Sequence, residues 1–274
     1  MFSFVDPYAA RLRRLTPVLW LFPALFFSLV LSGCNSSSRP HVTTVKDVRD
    51  KYRGDYAALS RRLAVIADNL PPAGSIKKVS APVTLDPKPV YYDRELKEPD
   101  VDLSASNTGI LSAEELHDQA VVPENIKIPV GASYPGSSFA LIRESSKEGG
   151  ALEDKDGWQE QVFKKGLALR YLIVYRVTGL VPPTKVKGVG SAYTPGALKM
   201  EVFLVDLKTD QVAASFPVAA KTPKEIKYTD YYSGSEVSDN LISAAISSMA
   251  VEALPQMATN LAKTTGGTFK FYGV

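Results

Sequence analysis

The sequence predicts an α+β fold: a small, mixed and largely antiparallel sheet with packed helices, preceded by an amphipathic helix and an irregular arm. Three observations support this prediction. Apolar residues recur at helical spacing over 45–70, prolines interrupt 71–136, and strand-like apolar runs alternate with helical segments over 137–274. The last of these segments is therefore expected to be an α/β domain, and the first two to precede it.

The helix over 45–70 is predicted from its apolar stripe. Successive apolar residues lie three or four positions apart, at Val48, Tyr52, Tyr56, Leu59, Leu63, Ile66 and Leu70, and charged residues fill the other faces. The pair Pro71 and Pro72 ends the pattern. Such a helix either packs on its own domain or serves as a stalk or coiled-coil partner, and the stripe alone does not decide between them.

The arm over 71–136 has no sustained periodicity. Beyond Pro71 and Pro72, seven prolines are scattered along it: Pro82, Pro87, Pro89, Pro99, Pro123, Pro129 and Pro135. Ser112 and Glu115 match a capping box, which predicts a short helix through His117. A segment this long is expected to be a wrapping arm, a flexible spacer or a partner-binding segment.

The α/β domain is predicted from a series of shorter elements. A strand is expected over 138–144 and a short helix over 154–165. The strongest strand, over 167–178, is apolar on both faces at its middle, so we expect it to be central and covered on both sides.

A hairpin and a long helix complete the predicted domain. Alternating strands over 197–207 and 212–219 form the hairpin, and Pro217 places the second strand at a sheet edge. A helix is expected from about Ser238, with Pro255 kinking it or ending its first segment. A last short strand follows over 268–272.

The N-terminus has the pattern of a secretory signal over 1–33. Residues 1–14 carry Arg11, Arg13 and Arg14, whereas residues 15–31 contain no charged side chain. Cys34, the one cysteine of the chain, stands directly after this apolar run and the small residues Ser32 and Gly33.

The four residues LSGC, ending at Cys34, resemble the lipobox of bacterial lipoproteins. The resemblance implies cleavage before Cys34, a diacylglyceryl group on its thiol and a palmitate-type acyl chain on its new N-terminus. Residues 34–44 would then be a tether. The alternatives are an uncleaved membrane anchor, for which the 17-residue run is short, and a buried structural cysteine.

The residue after the cysteine bears on location. In Gram-negative lipoproteins an aspartate there commonly retains the protein in the inner membrane, and this chain has Asn35. The resemblance therefore implies the inner leaflet of the outer membrane, facing the periplasm, with the inner membrane as the second choice.

The hairpin also resembles a known group. Its sequence VFLVDLKTDQVAASFPV is similar to a hairpin of periplasmic α/β-sandwich lipoproteins: curli-secretion lipoproteins, lipoprotein activators of penicillin-binding proteins, and the N-terminal domain of the Tol–Pal translocation protein. Asp206, Thr209 and Val212 fit the shared pattern, whereas Asp210 replaces its glycine. Aspartate tolerates a left-handed turn position, so we expect the turn to form.

Charge argues against a nucleic-acid partner. Removal of residues 1–33 takes away three of the 32 basic residues and one of the 29 acidic residues, which leaves one net positive charge. Binding to phosphate backbones depends on clustered lysine and arginine, so no nucleic acid is expected to bind.

The sequence contains no recognisable catalytic or metal motif. His41 and His117 lack the neighbours that a zinc or nucleophile site needs. Carboxylates cluster at Glu153, Asp154 and Asp156, and again at Asp93 and Glu95 beside Tyr92; such pairs could hydrolyse a glycan. We expect instead that the protein is not an enzyme and that it carries no cofactor other than the covalent lipid on Cys34.

Tyrosines are the candidate contact residues of this protein. Aromatic loop residues with polar tips can hold a partner protein or stack on a sugar, and six are singled out: Tyr91, Tyr92, Tyr193, Tyr228, Tyr231 and Tyr232. The expected function is a lipid-anchored, non-enzymatic envelope protein that binds a protein partner or assembles with itself. The alternatives are a cell-wall glycan-binding or hydrolase protein and a secretion-pore subunit.

Overall fold

The computed structural model describes residues 43–93, 96, 102–117, 157–186, 193–224 and 236–271. The predicted signal, Cys34, the tether up to residue 42 and the predicted strand over 138–144 lie outside these ranges. Three α-helices are described, α1 (Val45–Asp68), α2 (Trp158–Leu167) and α3 (Glu236–Thr265). The described strands are β1 (Val90–Tyr92), β2 (Thr108–Ser112), β3 (Tyr171–Val181), β4 (Thr184–Lys185), β5 (Tyr193–Thr194), β6 (Ala197–Asp206), β7 (Gln211–Lys221) and β8 (Thr268–Lys270).

Four strands form the main sheet, in the order β2-β3-β6-β7. β2 runs parallel to β3, while β3, β6 and β7 are antiparallel neighbours. The sheet is therefore mixed and largely antiparallel, and together with its helices it confirms the predicted α+β fold. A separate two-stranded parallel ladder pairs β1 with β8, and a short antiparallel ladder pairs β4 with β5.

Two apolar clusters cover the two faces of the sheet. Tyr171 and Ile173 of β3 belong to the cluster beneath α3, whereas Leu172 and Val174 belong to the cluster beneath α1. All four side chains are fully buried. The prediction that this strand is central and covered on both sides is confirmed.

Helix α1 packs on the domain. It begins at a capping box in which the Asp47 N–H donates to Thr44 Oγ1 (3.2 Å) and the Thr44 N–H donates to Asp47 Oδ2 (2.8 Å). Its buried Leu59, Leu63 and Ile66 lie in the apolar cluster on the sheet. Of the two roles left open by the sequence, the structure shows the packed helix rather than a free stalk.

The predicted irregular arm contributes strands to the fold. β1 and β2 both lie within 71–136, and every residue of β2 is buried. Five residues with the sequence TGILS are too short to show a period, and their pairing is decided by the distant strand β3. The predicted capping box also forms: the Ser112 N–H donates to Glu115 Oε2 (2.8 Å), and a 3₁₀ helix spans Glu115–His117.

Helix α3 continues through Pro255 as one element. Of the two predicted effects of this proline, a kink or the end of a first segment, the second does not occur. Pro255 is exposed, while Leu254 and Met257 beside it are buried against the sheet. Packing of this apolar stripe offsets the one backbone hydrogen bond that a proline removes. No helix within the described residues is long and apolar enough to cross a membrane.

The hairpin between β6 and β7 has the predicted turn. Asp210 adopts a positive φ of 57°, the left-handed conformation expected of an aspartate in the position of glycine. β7 is the edge strand of the four-stranded sheet, as Pro217 predicted.

Candidate functional site

A short segment wraps around the β7 edge of the sheet, and residues 74–83 are called the strap below. The Ile76 N–H donates to Glu201 Oε1 (2.8 Å), the Ser80 N–H donates to the Ser215 carbonyl (2.9 Å), and the Val83 N–H donates to the Thr264 carbonyl (2.8 Å). Since Ile76 packs on the α1 face and Thr264 belongs to α3, the strap passes from one face of the sheet to the other.

The strap and the edge strand leave a cavity of about 270 Å³. Its wall has an apolar part and a polar part. The apolar residues are Ile76, Met200, Pro217, Val218 and Ala219, and the polar ones are Lys77, Thr178, Lys199, Glu201 and Gln256. We take this cavity as the candidate site because it brings together charged, polar and apolar groups from five separate parts of the chain.

A buried ion pair supports the cavity wall. Arg176 Nη2 lies 2.7 Å from Glu201 Oε2 and also donates to the Pro71 carbonyl at 2.6 Å. The Glu201 side chain is 2% exposed and that of Arg176 is 16% exposed. The guanidinium also lies over the Phe203 ring, 5.3 Å from its centre. The pair joins β3, β6 and the start of the strap.

The charge state of Glu201 follows from these contacts. Burial alone would raise the pKa of its carboxyl, but the hydrogen bond from Arg176 and those from the backbone at Ile76 and Gly74 outweigh burial. The pKa of Glu201 is therefore below its usual value, and the carboxylate is ionised at neutral pH. Because both oxygens accept hydrogen bonds from Arg176 and Ile76, this carboxylate is poorly suited to act as a general acid or base.

Stability is expected to depend on pH through this group. A lowered pKa in the folded state stabilises the fold above the ordinary value of 4.5, and that contribution disappears as the pH falls through the folded-state pKa. The free energies of unfolding that urea titration gives for the wild-type protein and for Glu201→Gln should therefore differ most at neutral pH. The difference between them should shrink below pH 4.5. If the difference in free energy of unfolding is the same at neutral and at acid pH, the interpretation that Glu201 has a lowered pKa is contradicted.

The exposed edge of β7 is largely closed to further strands. The Ser215 N–H donates to Ser80 Oγ (2.9 Å), and the Ala219 N–H donates to Gln256 Oε1 (3.1 Å). Pro217, between them, has no N–H. Because the amide and carbonyl of one strand residue point to the same side, the carbonyls of Pro217 and Ala219 also point outward, beside the cavity.

The structure describes three of the six tyrosines that the sequence singled out, and none of these three lines the cavity. Tyr91 is fully buried, with its ring centre 4.8 Å from that of Phe271, so it is part of the core and not a surface contact. Tyr92 is half-buried on β1, and the half-buried Tyr193 donates its hydroxyl to the Pro223 carbonyl. Three tyrosines lie outside the described residues: Tyr228, Tyr231 and Tyr232.

Of the other candidate groups, the structure describes Asp93 and His117, and neither lines the cavity. Asp93 is 1% exposed and its N–H donates to the Lys270 carbonyl (2.9 Å), and His117 lies in the 3₁₀ helix. His41, Glu95 and the acidic cluster at 153–156 lie outside the described ranges. Within the residues that the structure describes, no group of His, Cys, Asp and Glu side chains could hold a metal ion.

Sequence reasoning missed the ion pair and the cavity, although one signal was present. On β6, Glu201 shares a face with Phe203 and Val205, and both of these are buried. A carboxylate on an otherwise buried face must find a partner, because an unpaired buried charge is very costly. That reasoning indicates an ion pair without naming Arg176.

Comparisons with known proteins do not assign this chain to a family. No protein-family model matches the chain, and neither does any curated protein. Among solved structures, one similar chain comes from Caulobacter crescentus and is described as a candidate lipoprotein. The match covers 59% of this chain and 90% of that chain, at 14% identity and a TM-score of 0.26. A TM-score this low does not show a shared fold.

Proposed function

We propose that the protein is a lipid-anchored component of a bacterial cell envelope whose α+β domain binds another envelope protein without catalysing a reaction. The observation that carries the proposal is the LSGC motif, which places the one cysteine directly after an uncharged run. Lipid chemistry needs a single thiol at that position. The proposed location is the inner leaflet of the outer membrane, with the domain in the periplasm.

The length of the tether limits where the domain works. Thr44 caps α1 and lies ten residues after Cys34, so the tether spans at most about 36 Å. One acyl chain gives only marginal membrane binding, whereas two or more hold a protein stably. A lipidated Cys34 would therefore keep the domain within that distance of the bilayer.

The cavity favours binding over catalysis. The carboxylate of Glu201 already accepts hydrogen bonds from Arg176 and from the strap. The groups that the cavity presents to a ligand are therefore lysine side chains and backbone carbonyls. The closed edge of β7 also argues against self-assembly by strand addition. We therefore favour a different protein over a second copy of this chain as the partner.

Crosslinking in intact cells tests this function. The full chain carrying an affinity tag is crosslinked with a membrane-permeant reagent and recovered, and the attached proteins are identified. We expect a discrete envelope protein, recovered in smaller amounts with Cys34→Ser because that variant loses its place at the membrane. Recovery of no envelope partner, or of self-crosslinked chains alone, would contradict the proposal.

A further inference from the structure

We propose that the α1 side of the sheet, at the end that extends beyond the strap, binds an acidic segment of a protein partner. This surface is called the lysine face below, and it consists of Gly179, Val181, Ala197, Lys199, Ala219 and Lys221. The inference rests on the proposed function, because it takes the domain to bind another envelope protein. It adds the surface on which that partner docks and the chemistry of the docking segment.

The strand register places these six residues on one side of the sheet, in two rows across β3, β6 and β7. The first row is Gly179, Lys199 and Ala219, and the second is Val181, Ala197 and Lys221. Residues two apart along a strand share a side. Since Lys199 is two residues from Glu201, whose carboxylate accepts from the strap, the lysine face lies on the α1 side. The paired Leu180 and Leu198 belong to the cluster beneath α3, on the opposite side.

Within the part of the chain that the structure describes, the lysine face is open. Helix α1 covers the same side of the sheet near the β6–β7 turn, and the strap covers the row at Glu201. Beyond the strap, Val181 is 61% exposed, and Lys199, Ala219 and Lys221 are exposed as well. A side that is covered along most of its length and open at one end leaves room for a further segment, which a partner can supply.

The positive charge of the lysine face is not compensated within the sheet. The acidic residues of β3, β6 and β7 are Glu201 and Asp206, and each is held by an arginine in an ion pair, at 2.7 and 2.5 Å. Lys199 and Lys221 form no ion pair with a described residue, and the exposed Lys77 of the strap borders the same end of the sheet. Complementary charge on a partner would therefore be carboxylates.

The spacing of the two lysines fits an extended segment. Lys199 and Lys221 are diagonal neighbours on adjacent strands, which places their backbones roughly 7–8 Å apart. Same-side residues of an extended chain lie about 7 Å apart, so two carboxylates on one side of a segment match both lysines. Gly179, Ala197 and Ala219 have small side chains or none, which lets the backbone of that segment approach the sheet.

The shape of this region favours a protein segment over an anionic lipid surface. The strap stands above the row next to the lysine face, and the cavity of about 270 Å³ lies at this step, with Lys77, Lys199 and Ala219 in its wall. Side chains of a segment can enter the step, whereas a flat bilayer cannot. Helix α1, with 24 residues, also separates the end of the tether from the strap by about 36 Å.

Nuclear magnetic resonance titration of the full chain in detergent micelles tests the proposal with a defined probe. The probe is an N-acetylated, C-amidated pentapeptide with glutamate at its first and third positions, leucine at its fifth and alanine between them. At low salt it should bind with a dissociation constant of about 1 mM and shift the amide signals of Gly179, Ala197 and Ala219. Added salt should weaken it. The same peptide with glutamine for glutamate, and micelles that contain phosphatidylglycerol without peptide, should leave these signals in place.

Variants of the two lysines give the matched comparison. Lys199→Gln/Lys221→Gln should weaken binding of the glutamate peptide about fivefold to tenfold, since contacts of exposed charges are individually modest. Lys199→Arg/Lys221→Arg keeps both charges and should bind within about twofold of the wild type. Lys208→Gln removes an exposed lysine in the β6–β7 turn, at the other end of the hairpin, and should leave binding unchanged. All three changes are at exposed positions, so the spectra should keep their folded dispersion.

Photo-crosslinking in intact cells tests the same surface against the natural partner. A photoreactive amino acid replaces Val181 on the lysine face or, as the control, Val65 on α1, which is 55% exposed. Only the probe at position 181 should yield a protein adduct, and the crosslinked peptide should carry at least two more acidic than basic residues. The adduct should be largely lost when Lys199→Gln/Lys221→Gln is combined with the probe.

The outcomes separate this inference from the function on which it rests. Equal binding of the glutamine peptide, the same shifts with phosphatidylglycerol, unchanged binding by Lys199→Gln/Lys221→Gln, or no peptide binding by the folded protein would each overturn the inference. So would an adduct of the position-181 probe with lipid or with a segment that is not acidic. If that probe gives no adduct but chemical crosslinking still recovers an envelope partner, the proposed function stands and the partner docks elsewhere. If neither recovers a partner, the proposed function fails as well.

Discussion

Replacing Arg176 by methionine is expected to lower the free energy of unfolding by about 3–5 kcal/mol. The substitution leaves the Glu201 carboxylate buried without its cationic partner, and it removes the hydrogen bond to the Pro71 carbonyl. In the intact pair, the attraction between the two charges offsets the free energy that they lose when they leave water, so the net contribution of the pair is small. Without Arg176 nothing offsets that loss for the buried carboxylate, so the variant loses more stability than the pair contributes. Urea unfolding of the full chain, followed by circular dichroism at neutral pH, measures the change.

Two further variants identify the cause. In Arg176→Met/Glu201→Leu no charge remains buried, so the double variant should recover most of the lost stability. Arg53→Met removes the ion pair of Arg53 with Asp50 on α1, where the arginine side chain is 71% exposed, and should cost less than about 1 kcal/mol. If Arg176→Met is no more harmful than Arg53→Met, the ion pair does not support the strap and the cavity wall.

Replacing Cys34 by serine is expected to abolish lipid attachment completely. The thiolate is the nucleophile that would take the diacylglyceryl group, and a serine hydroxyl at the same position is a far weaker nucleophile near neutral pH. We therefore expect no lipid attachment at all in this variant, rather than a lower level of it. Labelling of cells with radioactive palmitate, followed by recovery of the tagged chain, measures it, and the variant should also keep the mobility of the uncleaved precursor.

The neighbouring Ser36→Ala provides the control for that experiment. Ser36 lies two residues beyond Cys34 and carries no chemistry there, so its variant should be labelled and processed as the wild type is. Normal palmitate labelling of Cys34→Ser would contradict the assignment of the lipid to this cysteine.

The elements predicted most accurately are those whose local pattern agrees with their environment. β3 was recognisable because its middle is apolar on both faces, and the structure covers both faces. The turn at Asp210 and the edge position of β7 followed from the conformational limits of aspartate and proline. In each case a property of the residue itself restricts the backbone, and distant parts of the chain have little influence.

The elements that were missed depend on distant parts of the chain. β2 has five residues and no period, and it becomes a strand through parallel pairing with β3 about sixty residues later in the sequence. The cavity likewise exists because the strap crosses β7 and brings Lys77 next to β6. Sequence patterns report the local preferences of a segment, and such long-range arrangements are decided by packing.

The length of α3 shows the same competition. Pro255 carries a strong local signal for a break, yet the buried residues around it hold the helix on the sheet as one element from Glu236 to Thr265. The cost of one missing hydrogen bond and a local clash is about 3 kcal/mol. Burial of several large side chains, each contributing about 1.5–3 kcal/mol, exceeds it.

The mass of the intact protein extracted from cell membranes tests whether Cys34 carries the lipid anchor. We expect a chain that begins at Cys34, with residues 1–33 removed and the added mass of a diacylglyceryl group and one further acyl chain on that residue. A chain that still begins at Met1, or one whose Cys34 carries a free thiol, would contradict it.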